Sequence, residues 1–107
     1  MSRPAAAADV FLAVSDPTRR SILQLLAEGE RAVMWLVERF RISQPAISKH
    51  LRVLREAGLV SRRRDGRQQL YRLEANELRA VGEWVAYFEK FWDERLDALG
   101  RYLDEQP

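Results

Sequence analysis

The sequence predicts a mostly α-helical fold carrying one β-hairpin, and three observations predict it. Apolar residues recur at helical spacing in several short segments, each bounded by a capping residue or a glycine. The stretch from Leu59 to Leu73 loses that period around an Asp65-Gly66 pair, a hairpin signal. A last segment then resumes the helical period from Asn76 to Leu103, about 28 residues or roughly 40 Å of helix.

Each element follows from its own residues. Ala5 to Val14 reads as a short helix with Val10, Phe11 and Val14 on one side. Asp16-Pro17 restarts the chain, aspartate as N-cap and proline in the first turn, and this second helix runs from Pro17 to about Glu28 before Gly29. Val33, Leu36, Val37 and Phe40 set a third helix over about Ala32 to Phe40. After the short connector Arg41-Ile42, Ser43 caps a fourth helix from Gln44 to about Ala57, buried along Ile47, Leu51 and Leu54 and closed by Gly58. Pro45 fits because the first turn has no intrahelical acceptor to lose. The hairpin then joins two runs through Asp65-Gly66, and Asn76 caps the final helix. Nothing resembles a linker or an internal repeat, so residues 1–107 read as one domain.

Composition excludes several functions. No cysteine is present, which removes disulfides, thiolate metal sites and cysteine nucleophiles, and one histidine, His50, cannot build a multi-histidine metal site within a chain. The longest unbroken apolar run, Ala32 to Val37, falls far short of the roughly 18 residues that cross a bilayer. Asp9 interrupts the N-terminal alanines before a signal-peptide core forms. The expectation is a cytoplasmic protein with no membrane partner, no metal and no cofactor. Ser48 and His50 stand two apart on one helix and do not face each other, so no serine–histidine pair supports catalysis.

Charge is distributed unevenly. Residues 1–40 balance five basic against five acidic side chains, residues 41–72 carry nine basic against two acidic, and residues 73–107 carry four basic against nine acidic. A basic centre inside a chain of net charge +2 marks a phosphate-binding surface, with a solvated basic face as the bland alternative.

Two short helices, a tight connector, a helix with a polar outer face and a basic hairpin make the layout of a winged helix-turn-helix. The fourth helix fits a major groove about one helix wide. Turning about 100° per residue puts Pro45, Ser48, Lys49, Arg52 and Glu56 opposite the buried stripe, so Gln44, Ser48, Lys49 and Arg52 reach base edges and nearby phosphates. Arg62, Arg63, Arg64 and Arg67 crowd the hairpin tip, where they lie along the backbone or enter the minor groove. An ordinary amphipathic helix would explain the first face but not the arginines that continue into the hairpin.

Three motifs carry a resemblance. Asp16-Pro17-Thr18-Arg19-Arg20, Ser43-Gln44-Pro45-Ala46-Ile47-Ser48-Lys49-His50-Leu51 and Leu54-Arg55-Glu56-Ala57-Gly58-Leu59-Val60 resemble the ArsR/SmtB bacterial transcriptional regulators over about residues 9–103. The middle motif is the specific one. The resemblance implies a dimeric winged helix acting as a repressor on double-stranded operator DNA, a recognition helix at about 43–57 that includes Ser43 and His50, a wing at about 59–73, and often release by a small-molecule effector. The chain also departs from the pattern. Ala32 and Met34 stand where the family's metal sensors commonly carry a Cys-x-Cys pair, and the C-terminal helix has no histidine for the alternative metal site. A non-metal-sensing member is expected. Arg41 replaces a common glycine in the turn before the recognition helix.

His50 sits beside the buried stripe, where it packs and hydrogen-bonds a phosphate or a neighbouring helix. On the last helix, Leu78, Val81, Val85, Phe88, Trp92, Leu96, Leu99 and Leu103 step by threes and fours, close to a heptad seam. One small domain cannot cover so wide and aromatic a stripe. The expected partner is a second copy of the chain, forming a homodimer through Val85, Phe88, Trp92, Leu96 and Leu99 with Val10, Phe11 and Val14 of the first helix. Trp84, Phe88, Phe91 and Trp92 suit an effector pocket as the lesser alternative. A winged-helix protein–protein module without DNA is the rival function, and Lys49 and Arg52 on the exposed face argue against it.

Overall fold

Caps decide where the helices begin. In a computed structural model that describes residues 4–105, α1 spans Pro4–Ala13 and α2 spans Pro17–Leu26. Asp16 Oδ2 accepts from the Arg19 N–H at 3.0 Å, which satisfies one of the open donors of the first turn of α2. A two-residue strand β1, Arg31–Ala32, precedes α3, Val33–Arg39. Ser43 Oγ accepts from the Ala46 N–H at 3.3 Å and starts α4, Gln44–Glu56. At its far end the Gly58 N–H meets the Arg55 carbonyl and the Leu59 N–H meets the Leu54 carbonyl, a paired closure that needs the left-handed φ of +79° at Gly58.

Strands β2, Val60–Asp65, and β3, Gln68–Leu73, pair antiparallel, and β1 joins the other edge of β3 to give the order β1-β3-β2. Two local expectations change here. Asp65 pairs with Gln68, so the two-residue loop is Gly66-Arg67 rather than Asp65-Gly66. Gly66, at φ +64°, takes the first loop position, where a side chain would be strained. Ala32 lies in β1 opposite Leu70, so α3 starts one residue later than the helical period suggests.

The core gathers one face of α1 to α4 and of the hairpin. Ile22, Leu23 and Leu26 of α2, Leu36 of α3, and Ile47, Leu51 and Leu54 of α4 meet Leu59, Val60 and Tyr71 of the hairpin. Val10 and Ala13 of α1 complete it, both fully buried. This corrects the placement of Val10 at a dimer interface: it belongs to its own chain's core. The same helix instead turns Phe11 toward Trp84, with ring centroids 6.0 Å apart.

The last helix is not continuous. Ala75–Leu78 forms a 3₁₀ turn that contains Asn76, so Asn76 is not a cap. α5 then covers Arg79–Tyr87 and α6 covers Glu89–Asp104. The break falls at Phe88, whose ring sits edge-on to Trp84 and Tyr87 at 5.2 and 5.0 Å. Leu78 and Val81 pack on the core, whereas α6 contains no buried residue. The radius of gyration, 18.6 Å, exceeds the roughly 13 Å of a compact chain this long, because α6 projects as an arm. No helix among the described residues is long and apolar enough to cross a membrane.

Candidate nucleic-acid interface

α4 is held by its inner face and open on its outer one. Ile47, Leu51 and Leu54 are fully buried, while Ser43, Gln44, Pro45, Ser48, Lys49 and Arg52 are exposed. The residues assigned to DNA reading from the sequence therefore share one surface. Ser43 already spends an acceptor lone pair on its cap, and its hydroxyl hydrogen remains available. Free N–H groups and the positive end of the helix dipole favour an anion at this end. Arg52 Nε donates to Glu56 Oε2 at 3.2 Å, one turn along the same exposed face. An exposed pair of this kind is held weakly, so the guanidinium can exchange Glu56 for a base or phosphate at small cost.

The hairpin sorts its arginines by strand alternation. Arg62 and Arg64 project to one face of β2 and Arg63 to the other. Arg62, Arg64 and Arg67 are exposed, and Arg64 Nε donates to the Gly66 carbonyl at 3.1 Å, which braces the turn. Arg63 does not crowd the tip with them. Its Nε and Nη2 donate to the two carboxylate oxygens of Glu30 at 2.9 and 2.8 Å. The hydrogen bond from Arg63 holds the Glu30 carboxyl below its usual range, and Glu30 in turn raises the Arg63 guanidinium. Glu30 immediately precedes β1, so this fork bridges the outer strands across β3. A second brace joins Ser61 and Arg72 to Glu74, with Ser61 Oγ donating at 2.6 Å and Arg72 Nε at 3.0 Å. These two hydrogen bonds lower the Glu74 carboxyl. Glu30, Ser61 and Glu74 escape a sequence reading because their partners lie far along the chain, and β1 itself carries no period.

His50 lies half-buried on the flank of α4. Its Nδ1 stands 3.3 Å from Arg19 Nη1 and 4.0 Å from Asp16 Oδ2. The Arg19 backbone N–H is the main cause that lowers the Asp16 carboxyl, with help from the Arg19 guanidinium. Of the two roles expected for His50, the contact with a neighbouring helix is present. Arg19 also donates to the carbonyls of Ala13 at 2.7 Å and Leu12 at 3.2 Å, closing the C-terminus of α1. The Asp16-Pro17 pair signals a helix start, but nothing in the sequence ties it to His50.

At the opposite end, Val85, Trp92, Leu96 and Leu99 are exposed and Phe88 and Phe11 are half-buried. Trp84, Val85, Phe88, Phe91, Trp92 and Arg95 line an open groove of about 540 Å³. Its walls are the aromatic stripe itself.

Comparison with known proteins agrees with this geometry. Residues 16–62 match the family described as bacterial regulatory protein, arsR family. The chain is 41% identical over 80 residues to the transcriptional repressor SdpR of Bacillus subtilis, an alignment covering 75% of this chain and 89% of that protein. It is 35% identical over 94 residues to the HTH-type transcriptional regulator Rv2034 of Mycobacterium tuberculosis, covering 88% and 85%. Among solved structures, an ArsR-like transcriptional regulator from Rhodococcus superposes with a TM-score of 0.72 at 34% identity, covering 96% of this chain and 94% of the other. The relatives are regulators of transcription rather than enzymes, and this chain, a winged helix-turn-helix whose α4 carries an exposed polar face, belongs to the ArsR family of bacterial regulatory proteins.

Proposed function

We propose that the protein is a homodimeric transcriptional repressor that binds an inverted-repeat operator in the cytoplasm. In each half-site the N-terminal half of α4 enters the major groove, with Gln44, Ser48, Lys49 and Arg52 facing base edges and flanking phosphates. Arg62, Arg64 and Arg67 follow the backbone or the adjacent minor groove. The observation that carries this reading is the outer face of α4, exposed while three leucine and isoleucine side chains opposite it are fully buried.

Dimerisation is supported by α6. A 16-residue helix with no buried residue and an apolar stripe is not stable in water alone. The occupant that fits the stripe is the same stripe of a second copy. Twofold pairing would set two α4 helices about 34–36 Å apart, one turn of DNA. The groove between Trp84 and Trp92 serves packing in this reading, so a small-molecule effector entering it would act by loosening the dimer.

Binding to fragments of genomic DNA at two salt concentrations tests the proposal. The expected result is a selected inverted repeat and an affinity that falls steeply with salt. A chain that binds no DNA at low salt would overturn it.

A further inference from the structure

Arg19 and His50 join three helices at one point, and the chemistry of the contact is directional. A guanidinium has donors only. The imidazole nitrogen that meets Arg19 Nη1 at 3.3 Å is Nδ1, so a hydrogen bond there requires Nδ1 to accept. In the neutral ring the proton then resides on Nε2. Nε2 makes no hydrogen bond among the described residues. The buried side-chain nitrogens left without a partner there belong to Arg31 and Arg55, not His50. Nε2–H is therefore a donor that reaches solvent on the flank of α4, beside exposed Lys49. Arg19 itself is fixed from behind by the carbonyls of Ala13 and Leu12.

We infer that Arg19 is a positioning residue that locks His50 as its Nε2-protonated neutral tautomer and so presents Nε2–H as an uncharged donor to a DNA phosphate. The inference rests on α4 being the DNA-reading helix. Through the same guanidinium, the C-terminus of α1 is tied to the reading helix.

The chain has a single histidine, so its imidazole nitrogens can be read by ¹⁵N NMR without assignment ambiguity. The free protein should give the pattern of a neutral Nε2–H ring, a result independent of DNA. An Nδ1–H pattern overturns the inference. His50→Ala should bind operator and random DNA about tenfold more weakly, with an unchanged slope of log affinity against log salt. His50→Gln, whose amide reaches the Nε2 position, should restore most of the loss, and His50→Asn should not. A salt slope lowered by about one in His50→Ala would mean a cationic contact and refute the neutral donor. Arg19→Met should lose affinity in the His50 protein and lose no more in the His50→Ala background. Lys49→Ala separates the two readings. If it leaves both affinity and salt slope unchanged, the DNA-reading role of α4 fails. If it lowers the slope while His50→Ala changes nothing, only the His50 role fails.

Discussion

Replacing Trp92 by aspartate tests the dimer most directly. Trp92 is 62% exposed in the isolated chain. Taking the upper end of the aromatic range, about 250 Å² for the whole side chain, roughly 150 Å² is left for a partner to cover. At about 25 cal/mol per Å² that is close to 4 kcal/mol per copy. Ordering costs on association reduce the yield, and a buried carboxylate adds a penalty of its own. A loss of at least about 3 kcal/mol, or more than about 100-fold in dimer Kd, is the working expectation. The remaining stripe makes the size plausible for a stable pair: Trp84, Tyr87, Phe91 and Tyr102 are each between 45% and 66% exposed, with Leu96, Leu99 and Leu103 beside them. Summed over these side chains, the area is on the order of the roughly 800 Å² per partner of a standard interface. Light scattering and sedimentation over a wide concentration range read the mass, and circular dichroism checks that the core is intact. A folded Trp92→Asp protein that keeps wild-type dimer mass at the lowest concentration would refute the assignment of this face.

Three further outcomes are expected. Arg52→Ala should change folding stability by no more than about 0.5 kcal/mol, because its pair with Glu56 is exposed, yet weaken operator binding by about 1–3 kcal/mol and relax sequence choice. Equal losses on operator and random DNA would remove its base-reading role. Gly58→Ala should cost about 1–2 kcal/mol in thermal or urea unfolding, since a Cβ there meets both a left-handed φ and Glu77 Cγ at 3.1 Å. Pairing with Arg63 lowers the Glu30 carboxyl in the folded chain, so the pair adds stability above the ordinary carboxylate range near pH 4 and loses it as pH falls through the lowered folded value. Melting curves of Glu30→Gln should therefore fall less steeply than wild type on acidification below about pH 5, and identical profiles would count against the brace.

The sequence reveals most where the signal is local. Ser43, Pro45 and Gly58 bound α4 within a residue, because a cap bond, a ring-fixed φ and a left-handed closure each act over one turn. The three buried residues of α4 follow its period, and that period alone separates Lys49 and Arg52 from the core. Precision drops where the deciding contact is distant. Val10 and Phe11 are adjacent apolar residues of one short helix. Only the placement of α4 and α5 sends Val10 into the core and leaves Phe11 against Trp84. The break at Phe88 is similarly hidden: no proline or glycine marks it, and an aromatic cluster stands where the backbone turns.

The arginines of the hairpin show why a count of charges overstates a binding surface. All four have the same formal charge, but alternation along β2 puts Arg63 on the side where Glu30 waits. A bidentate pair of that kind fixes geometry more than it stores energy at an exposed site. Arg63 thus shapes the wing, while Arg62 and Arg64 stay exposed on the other face and Arg64 spends its Nε on the turn. The same division holds on α4, where His50 is engaged by Arg19 and Lys49 is not. On both elements, exposed cations stand beside side chains that are already partnered within the chain.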